Sequence, residues 1–224
     1  MAEYNGYAVI WDIDGTLVDT GDLHFDSWVR LAQDIAKPFN REMFTATFGR
    51  RNPEIIAEVF GQYSPEEVAE MGFRKEEYYR AEAKKGVNLL PGVRELLTGL
   101  HAAGFKQSTG SSAPRQNVDM ILDITDSRKY FEAVVSMEDT TRGKPDPQVF
   151  QVAAQRLKVA AERCLVMEDA IAGIQAAHAA GMKAIGITFV GHHPADALKA
   201  AGANLVVPTL EEVSAQTIQK LLEK

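Results

Sequence analysis

The sequence has little cysteine, no long apolar run and no excess of positive charge. Cys164 is the one cysteine among 224 residues, so an internal disulfide cannot form and a reducing, cytoplasmic location is expected. No stretch approaches the roughly 18 consecutive apolar residues that suggest a membrane helix. The formal net charge of −7 argues against nucleic acid or an anionic membrane as a partner, because such binders carry a basic patch.

The motifs of several enzyme classes are also lacking. No phosphate-binding Walker loop, dinucleotide-binding glycine fingerprint or His-Glu-x-x-His zinc motif occurs. The first six residues lack the basic and apolar regions of a signal peptide, so none is expected. What is present is an ordinary balance, 46% hydrophobic and 25% charged residues, in a chain long enough to bury a core without disulfides or a structural metal.

Short apolar runs alternate with helical patterns along most of the chain. The runs predict buried strands at residues 7–11, 164–167, 184–187 and 205–207, with 134–135 as a shorter candidate. Residues 105–109 should be a central strand by position, although most of their side chains are polar. Helical patterns at 93–103 and 170–180 each end at a glycine. This alternation predicts βαβ units and a parallel sheet.

The segment from Asp22 to Leu90 is different. It contains two long amphipathic stretches, 23–36 and 66–85, with no convincing strand between them. Pro91 and Gly92 then form a turn signal before the alternation resumes. We interpret the segment as a helical insert placed early in an α/β domain.

Acidic residues follow two of the predicted strands where each strand ends. Asp12 and Asp14 follow the first strand, and Glu168 and Asp169 follow the strand at 164–167. In an open α/β sheet, ligands bind beyond the carboxyl ends of the strands. Unpaired carboxylates in one place repel each other, and an oxygen-preferring divalent cation such as Mg²⁺ relieves that repulsion. Together the two pairs predict a metal site with oxygen ligands.

Simpler interpretations exist for each acidic pair. Asp14 with the following glycine could form a hairpin turn. A calcium loop does not fit, because Leu17 and Leu23 occupy the positions that need glycine and glutamate. The second pair could merely favour the N-terminus of the helix that follows it.

Two further features are suited to holding phosphate. Ser111 and Ser112 precede a predicted helix start, where hydroxyls and backbone N–H groups bind anions, although a simple N-cap is the alternative. Lys144 lies between a glycine and a proline, on a constrained loop, whereas most lysines are solvated surface residues. With a metal ion, such groups could hold a phosphate dianion beside an aspartate nucleophile.

Taken in order, these motifs resemble those of the haloacid dehalogenase superfamily of phosphotransferases, and most closely its β-phosphoglucomutase-like group. They are residues 12–20 (DIDGTLVDT), 109–112 (TGSS), 143–146 (GKPD) and 167–173 (MEDAIAG). The similarity runs over nearly the whole chain. It implies an α/β fold in which a Rossmann-like parallel sheet has helices on both faces, with a small α-helical cap domain inserted. The core would comprise residues 1–20 and 91–224, and the cap residues 21–90.

The resemblance also implies roles for the motif residues. Asp12 would be the nucleophile that forms an aspartyl-phosphate, and Asp14 the general acid and then the general base. Ser111 and Lys144 would hold the phosphoryl oxygens. The Mg²⁺ ligands would be Asp12, the backbone carbonyl of Asp14, Glu168 and Asp169. The dehalogenases of the superfamily lack an acid/base at the position of Asp14. The resemblance therefore argues against cleavage of carbon–halogen bonds by this chain.

The cap supplies most of the substrate-binding candidates. They are His24, Trp28, Gly49, Arg50, Arg51 and Asn52, together with Ser112 of the core. His24 and Trp28 match the family's first cap helix, but ordinary helix packing would also explain them. A mutase of this group would have a lysine and an arginine at positions 48 and 52, where this chain has Phe48 and Asn52. Arg50 and Arg51, which lie between these positions, could bind a substrate phosphate or could simply be solvated. Lys75, in the later cap helix, resembles a phosphate-contacting position only loosely.

We therefore expect Mg²⁺-dependent hydrolysis of phosphate monoesters of small metabolites, sugar phosphates in particular, through an aspartyl-phosphate. A β-phosphoglucomutase that interconverts β-glucose 1-phosphate and glucose 6-phosphate is the alternative. A non-catalytic binding protein would require a lost catalytic group, and none is lost. Phosphonate cleavage would need a distinctive cap lysine, which the spacing does not single out. The expected partner is a small phosphorylated metabolite, without nucleic acid or membrane, and the chain is expected to be a monomer.

Overall fold

The computed structural model describes residues 6–223, and its centre is one parallel sheet. The strands are β1 (Ala8–Trp11), β2 (Lys106–Thr109), β3 (Cys164–Glu168), β4 (Lys183–Ile187) and β5 (Leu205–Val207). They lie in the order β2-β1-β3-β4-β5. Trp11, at the end of β1, lies opposite Thr109 of β2 and Met167 of β3. The carboxyl ends of these three strands therefore meet at one edge of the sheet.

Helices connect the strands and fill the insert. They are α1 (Gly21–Asp34), α2 (Arg41–Thr47), α3 (Asn52–Ile55), α4 (Pro65–Ala83), α5 (Val93–Ala103), α6 (Arg115–Ile124), α7 (Gln148–Leu157), α8 (Ile171–Ala179), α9 (Ala195–Ala200) and α10 (Ala215–Leu222). A π-helical turn, Ile56–Phe60, continues α3. Among the helices within residues 6–223, none combines the length and the apolar character needed to cross a membrane.

Both faces of the sheet are buried. Alternate residues of β1 face opposite sides: Val9 and Trp11 join a cluster that includes residues of α5, α6 and α10. Ala8 and Ile10 join a second cluster with residues of α7, α8 and α9. A strand covered on both faces needs apolar residues at every position, which explains the continuous apolar runs. The predicted α/β class, with helices on both faces of a parallel sheet, is confirmed.

The polar strand β2 is confirmed, and hydrogen bonds explain its composition. Gln107 is fully buried, accepts a bond from Trp11 Nε1 (3.0 Å) and donates one to the carbonyl of Leu97 (3.0 Å). Because its donors and acceptors are satisfied, the buried amide carries no desolvation penalty large enough to exclude the strand. Position in the alternation was therefore the better guide than hydrophobicity.

The short strand predicted at residues 134–135 is wrong. The sheet contact there is an isolated bridge between Ser108 and Ala133. The backbone of Val135 instead bonds to the side chain of Thr109, with N–H to Oγ1 at 2.8 Å and Oγ1 to the carbonyl at 3.0 Å. The Val135 carbonyl also accepts from the backbone N–H of Ser111 (3.2 Å), so the ladder is interrupted only where the Val135 N–H bonds to a side chain and not to a backbone carbonyl.

The predicted insert is helical, as expected. Residues 21–90 contain α1 to α4 and no strand, and the helices predicted at 23–36 and 66–85 begin slightly earlier in the structure. Their apolar sides form a separate cluster that includes Trp28, Phe44, Phe48 and Phe60. Ala170, just before α8, also belongs to this cluster. The insert thus packs against the loop that follows β3. Its status as a distinct cap domain remains a prediction.

Candidate active site

Three buried carboxylates and one buried ammonium meet at the carboxyl edge of the sheet. Ligand oxygens of Asp12, Glu168 and Asp169 all lie within 4.8 Å of one another. Lys144 Nζ lies 2.6 Å from Asp12 Oδ1 and 2.7 Å from Glu168 Oε1. The ends of β1 and β3 position the acids, and the loop before α7 positions the lysine.

Two glycines make room for these acids. Gly15 has a φ of +85°, a conformation that favours glycine, and a Cβ there would overlap the carboxylate of Asp169. A Cβ at Gly173, in α8, would overlap the carboxylate of Glu168. The glycines of the first and last motifs therefore have a steric function at the site.

The electrostatics of this cluster favour an additional cation. Burial raises the pKa of Asp12 to about 7, with the Glu168 carboxylate adding to the rise and Lys144 opposing it. Burial and the neighbouring acids also hold the pKa of Asp169 well above its usual value. Asp169 Oδ2 is buried and has no hydrogen-bond partner among residues 6–223. A divalent cation with a preference for oxygen ligands, such as Mg²⁺, fits this donor set.

Asp14 has a different environment. Its Oδ1 accepts a hydrogen bond from Thr20 Oγ1 (2.6 Å) and another from the Tyr79 hydroxyl (3.3 Å), and lies 3.0 Å from His24 Nε2. Burial alone would raise the pKa of Asp14, but the electrostatic and hydrogen-bonding interactions with His24 and the hydrogen bond from Thr20 outweigh burial and lower the pKa to about 2. Asp14 is therefore a carboxylate that contacts two residues of the insert, His24 and Tyr79, in addition to Thr20.

A narrow cavity of about 50 Å³ lies between the sheet edge and the insert. Its lining includes the candidates Asp12, Asp14, Ser111 and Ser112 on one side and His24, Trp28, Gly49, Arg50 and Asn52 on the other. Ser111 Oγ accepts a hydrogen bond from the backbone N–H of Ala113 (3.0 Å), and α6 begins without a side-chain cap. Ser111 and Ser112 thus do not serve as a simple N-cap. Lys144, Glu168 and Asp169 lie beside Asp12, outside this lining.

The two arginines of the insert loop are both engaged by protein groups. Arg51 is not among the residues that line the cavity. Its Nη2 donates to the carbonyls of Met137 (3.3 Å) and Thr140 (3.0 Å) and to the Thr140 hydroxyl. Arg50 lines the cavity, but its guanidinium pairs with Glu58 (2.6 Å) and Glu54 (3.6 Å). Neither guanidinium is therefore simply solvated, and whether either binds a substrate phosphate stays a prediction.

Sequence reasoning gave no role to Glu76 and left Lys75 as a loose resemblance. Lys75 Nζ lies 2.7 Å from His24 Nδ1 and 2.9 Å from Glu76 Oε1. Glu76 also accepts bonds from Asn52 Nδ2 (2.7 Å) and from Asn117 Nδ2 of α6 (2.6 Å). Both Lys75 and Glu76 are buried and line the cavity.

A signal for this pair is present in the sequence. Met71, Tyr79 and Ala83 mark the buried face of α4, and the helical period places Lys75 and Glu76 on that face. Charged groups are costly to bury unless they are paired. Adjacent opposite charges on the apolar face of an amphipathic helix therefore indicate a buried polar site.

Comparisons with known proteins agree with this geometry. A model of the haloacid dehalogenase-like hydrolase family matches residues 9–187. The chain is 32% identical over 205 residues to a phosphorylated carbohydrates phosphatase of Thermotoga maritima, covering 89% of this chain and 93% of that protein. It is 34% identical over 188 residues to a beta-phosphoglucomutase of Bacillus subtilis, covering 80% of this chain and 82% of that protein. The crystal structure of a beta-phosphoglucomutase from Clostridium difficile superposes with a TM-score of 0.86 at 26% identity, covering 100% of this chain and 98% of that one.

Proposed function

The chain belongs to the haloacid dehalogenase-like hydrolase family, and on that premise we propose that it is a Mg²⁺-dependent phosphatase of small phosphorylated metabolites, sugar phosphates in particular. Family membership and relatives of both kinds indicate that the chain is a phosphohydrolase or a phosphomutase. The narrower choice of a phosphatase rests on the geometry of the cavity.

Mg²⁺ would be held by Asp12, Glu168 and Asp169, with the backbone carbonyl of Asp14 as a further ligand. The unpartnered Asp169 Oδ2 and the all-oxygen donor set support this assignment. When bound, the ion supplies positive charge that offsets the charge of the substrate phosphate.

In the proposed reaction, an Asp12 carboxylate oxygen attacks phosphorus while the bond from phosphorus to the ester oxygen breaks. Asp14 gives a proton to the departing alkoxide, then takes a proton from the water that attacks the aspartyl-phosphate and releases phosphate. With its pKa lowered to about 2, Asp14 starts as a carboxylate, so a substrate bound as the phosphate monoanion would bring the first proton. Lys144 and Ser111 would hold the phosphoryl oxygens.

One observation favours hydrolysis over mutase activity. A mutase returns the phosphoryl group to a sugar that already carries one, so its cap must hold a second phosphate. The two cations of the insert that line the cavity, Arg50 and Lys75, are paired with Glu58 and Glu76. A second phosphate dianion would have to displace those carboxylates, whereas a neutral sugar would not.

β-Phosphoglucomutase activity is the second candidate because the cavity is small. Exclusion of water from an aspartyl-phosphate is what separates transfer from hydrolysis, and a cavity of about 50 Å³ leaves little room for bulk water.

The test is a phosphate-release assay with Mg²⁺ over a panel of sugar phosphates, with Asp12→Asn as the matched variant. Free phosphate that the variant no longer releases is the expected result. The panel includes β-glucose 1-phosphate with a trace of glucose 1,6-bisphosphate, assayed for glucose 6-phosphate. Formation of glucose 6-phosphate with little free phosphate would instead establish the mutase.

A further inference from the structure

Asn117 of α6 connects the part of the chain that packs on the sheet to α4 of the insert. Its side chain is buried. Nδ2 donates to Glu76 Oε2 at 2.6 Å, and Oδ1 accepts from Arg80 Nη1 at 2.8 Å. A guanidinium can only donate hydrogen bonds and an ionised carboxylate can only accept them. The amide of Asn117 therefore has one orientation that satisfies both partners.

The other oxygen of Glu76 is held from within the insert. Glu76 Oε1 accepts from Asn52 Nδ2 at 2.7 Å and from Lys75 Nζ at 2.9 Å. Burial raises the pKa of Glu76, but the electrostatic interactions with Lys75 and His24 and the hydrogen bond from Asn52 outweigh burial and lower the pKa. Glu76 is thus an ionised, buried group whose two oxygens have different partners, one set from the insert and one from α6.

Lys75 extends this set of contacts to the proposed acid/base. Its Nζ lies 2.7 Å from His24 Nδ1, and His24 Nε2 lies 3.0 Å from Asp14 Oδ1. Because the Lys75 ammonium can only donate, Nδ1 accepts and the ring proton is on Nε2, which faces Asp14. Tyr79 stacks on the imidazole, with ring centroids 4.1 Å apart. The side chains from α6 to Asp14 are therefore in continuous polar contact.

We propose that Asn117, acting through Glu76, is a positioning residue for the acid/base Asp14. Asn117 is not among the residues that line the catalytic cavity, so it acts through its neighbours. The α6 amide fixes the Glu76 carboxylate, the carboxylate fixes the Lys75 ammonium, and the ammonium fixes the imidazole beside Asp14. Displacement of that imidazole would misalign Asp14 for proton transfer to the departing alkoxide. The inference rests on the proposed phosphatase function and adds a residue outside its motifs.

The test exchanges donor and acceptor between the two partners. In Glu76→Gln the amide oxygen can still accept from Lys75, but the amide nitrogen then faces the donor of Asn117. Asn117 cannot turn over to relieve this, because its donor would then face Arg80. Adding Asn117→Asp replaces the opposing donor by an acceptor. The double variant therefore restores the bond across the boundary, keeps a partner for Arg80 and leaves the net charge unchanged.

Leaving-group dependence shows whether the acid/base is affected. Glu76→Gln should lower kcat/KM about tenfold for the best sugar phosphate of the panel, the scale of one lost hydrogen bond to a charged group. The loss should be less than about twofold for p-nitrophenyl phosphate, whose stable anion departs without a proton. The double variant should return to within about threefold of the wild-type value for the sugar phosphate. An equal loss for both esters, or a double variant no better than Glu76→Gln, would overturn the proposal.

A matched control makes the same exchange on the surface. Glu70→Gln combined with Asn88→Asp changes one carboxylate to an amide and one amide to a carboxylate at exposed positions. This control should leave both kcat/KM values unchanged. If Glu76 served only as the counter-ion of Lys75, the double variant at positions 76 and 117 would stay impaired, because its charge has moved away from the ammonium.

An NMR measurement separates failure of this proposal from failure of the proposed function. The chemical shifts of the His24 ring nitrogens report which nitrogen carries the proton and need no substrate. They should change in Glu76→Gln and return to the wild-type values in the double variant. That result supports the positioning role even if no ester is hydrolysed, which would refute only the phosphatase. Shifts that are unchanged in Glu76→Gln, or that do not return in the double variant, would overturn the positioning role.

Discussion

Asp12 and Asp14 lie two positions apart, yet their surroundings move their pKa values in opposite directions. Burial among other acids raises the pKa of Asp12 to about 7, whereas Asp14, buried beside His24 and Thr20, has its pKa lowered to about 2. Two carboxylates with such different environments are suited to different chemical roles. Two partners of Asp14, His24 and Tyr79, come from the insert, so movement of the insert would change the environment of the proposed acid/base.

Asp139 provides a pH-dependent test on a single side chain. Burial raises its pKa, but hydrogen bonds from Arg156 and from the backbone N–H of Ser136 outweigh burial and lower the pKa from 3.8 to about 2. A depressed pKa means that the carboxylate stabilises the fold above about pH 4, and that this contribution is lost as the pH falls through 2. Asp139→Asn should lower the free energy of unfolding by about 1–2 kcal/mol at pH 7.

Urea unfolding at pH 7, 5 and 3 measures this effect. The difference between the wild-type chain and the variant should be smaller at pH 3 than at pH 7. Asp196→Asn is the control, because the Asp196 side chain is 98% exposed and its removal should change little at any pH. An unchanged difference at pH 3 would attribute the loss to packing instead of charge.

At the scale of elements, the loop between α2 and α3 is attached to the loop before α7. Arg51 donates to two carbonyls of the latter, and Gly143, next to Lys144, leaves space for the Arg51 side chain. The insert and the lysine of the candidate site are therefore coupled through backbone contacts.

Arg51→Ala should lower kcat/KM about tenfold for every phosphomonoester, because a charged donor to the loop that carries Lys144 is lost and that lysine is positioned less firmly. Arg50→Ala is the matched variant, since its ion pairs lie within the insert, and we expect a loss of less than about threefold. Steady-state kinetics on short and long esters provides the measurement. A loss confined to esters with a second phosphate would mean that Arg51 contacts substrate.

The elements were more predictable from sequence than their contacts. Apolar runs gave β1 and β3 to within one residue, and position alone gave the polar β2. The run at residues 134–135 is not a strand because the Val135 N–H bonds to a side chain, Thr109 Oγ1, where a strand would bond to a backbone carbonyl. The helical period of α4 could have shown that Glu76 is buried, but not its bond to Asn117, which lies 41 positions away and which no local pattern encodes.

At the scale of the whole molecule, a divalent cation should be a structural as well as a chemical requirement. Three buried carboxylates against one ammonium leave uncompensated negative charge in the folded state when all are ionised. Saturating Mg²⁺ should therefore raise the Tm by about 5 °C or more, and chelation should reverse the shift and abolish phosphate release.

Asp169→Asn tests the source of that shift in thermal unfolding scans. The variant should lose most of the Mg²⁺-dependent rise while its metal-free form is at least as stable as the wild-type chain, because a buried carboxyl group with one unpartnered oxygen is replaced by a neutral amide. Asp123→Asn, on the exposed side of α6, should keep the full rise. A full rise in Asp169→Asn would contradict the assigned ligand set.

The candidate site combines residues from distant parts of the chain, so its parts are synthesised at different times. Lys144 follows Asp12 by 132 positions, which at ribosomal rates of about 5–20 residues per second corresponds to a delay on the order of ten seconds. During that interval the nascent chain carries its candidate nucleophile without the lysine, the second acidic pair or the strand that covers one edge of β1. A chain released before Glu168 would hold the first motif without the second acidic pair, and on the proposed ligand set we expect it to release no phosphate.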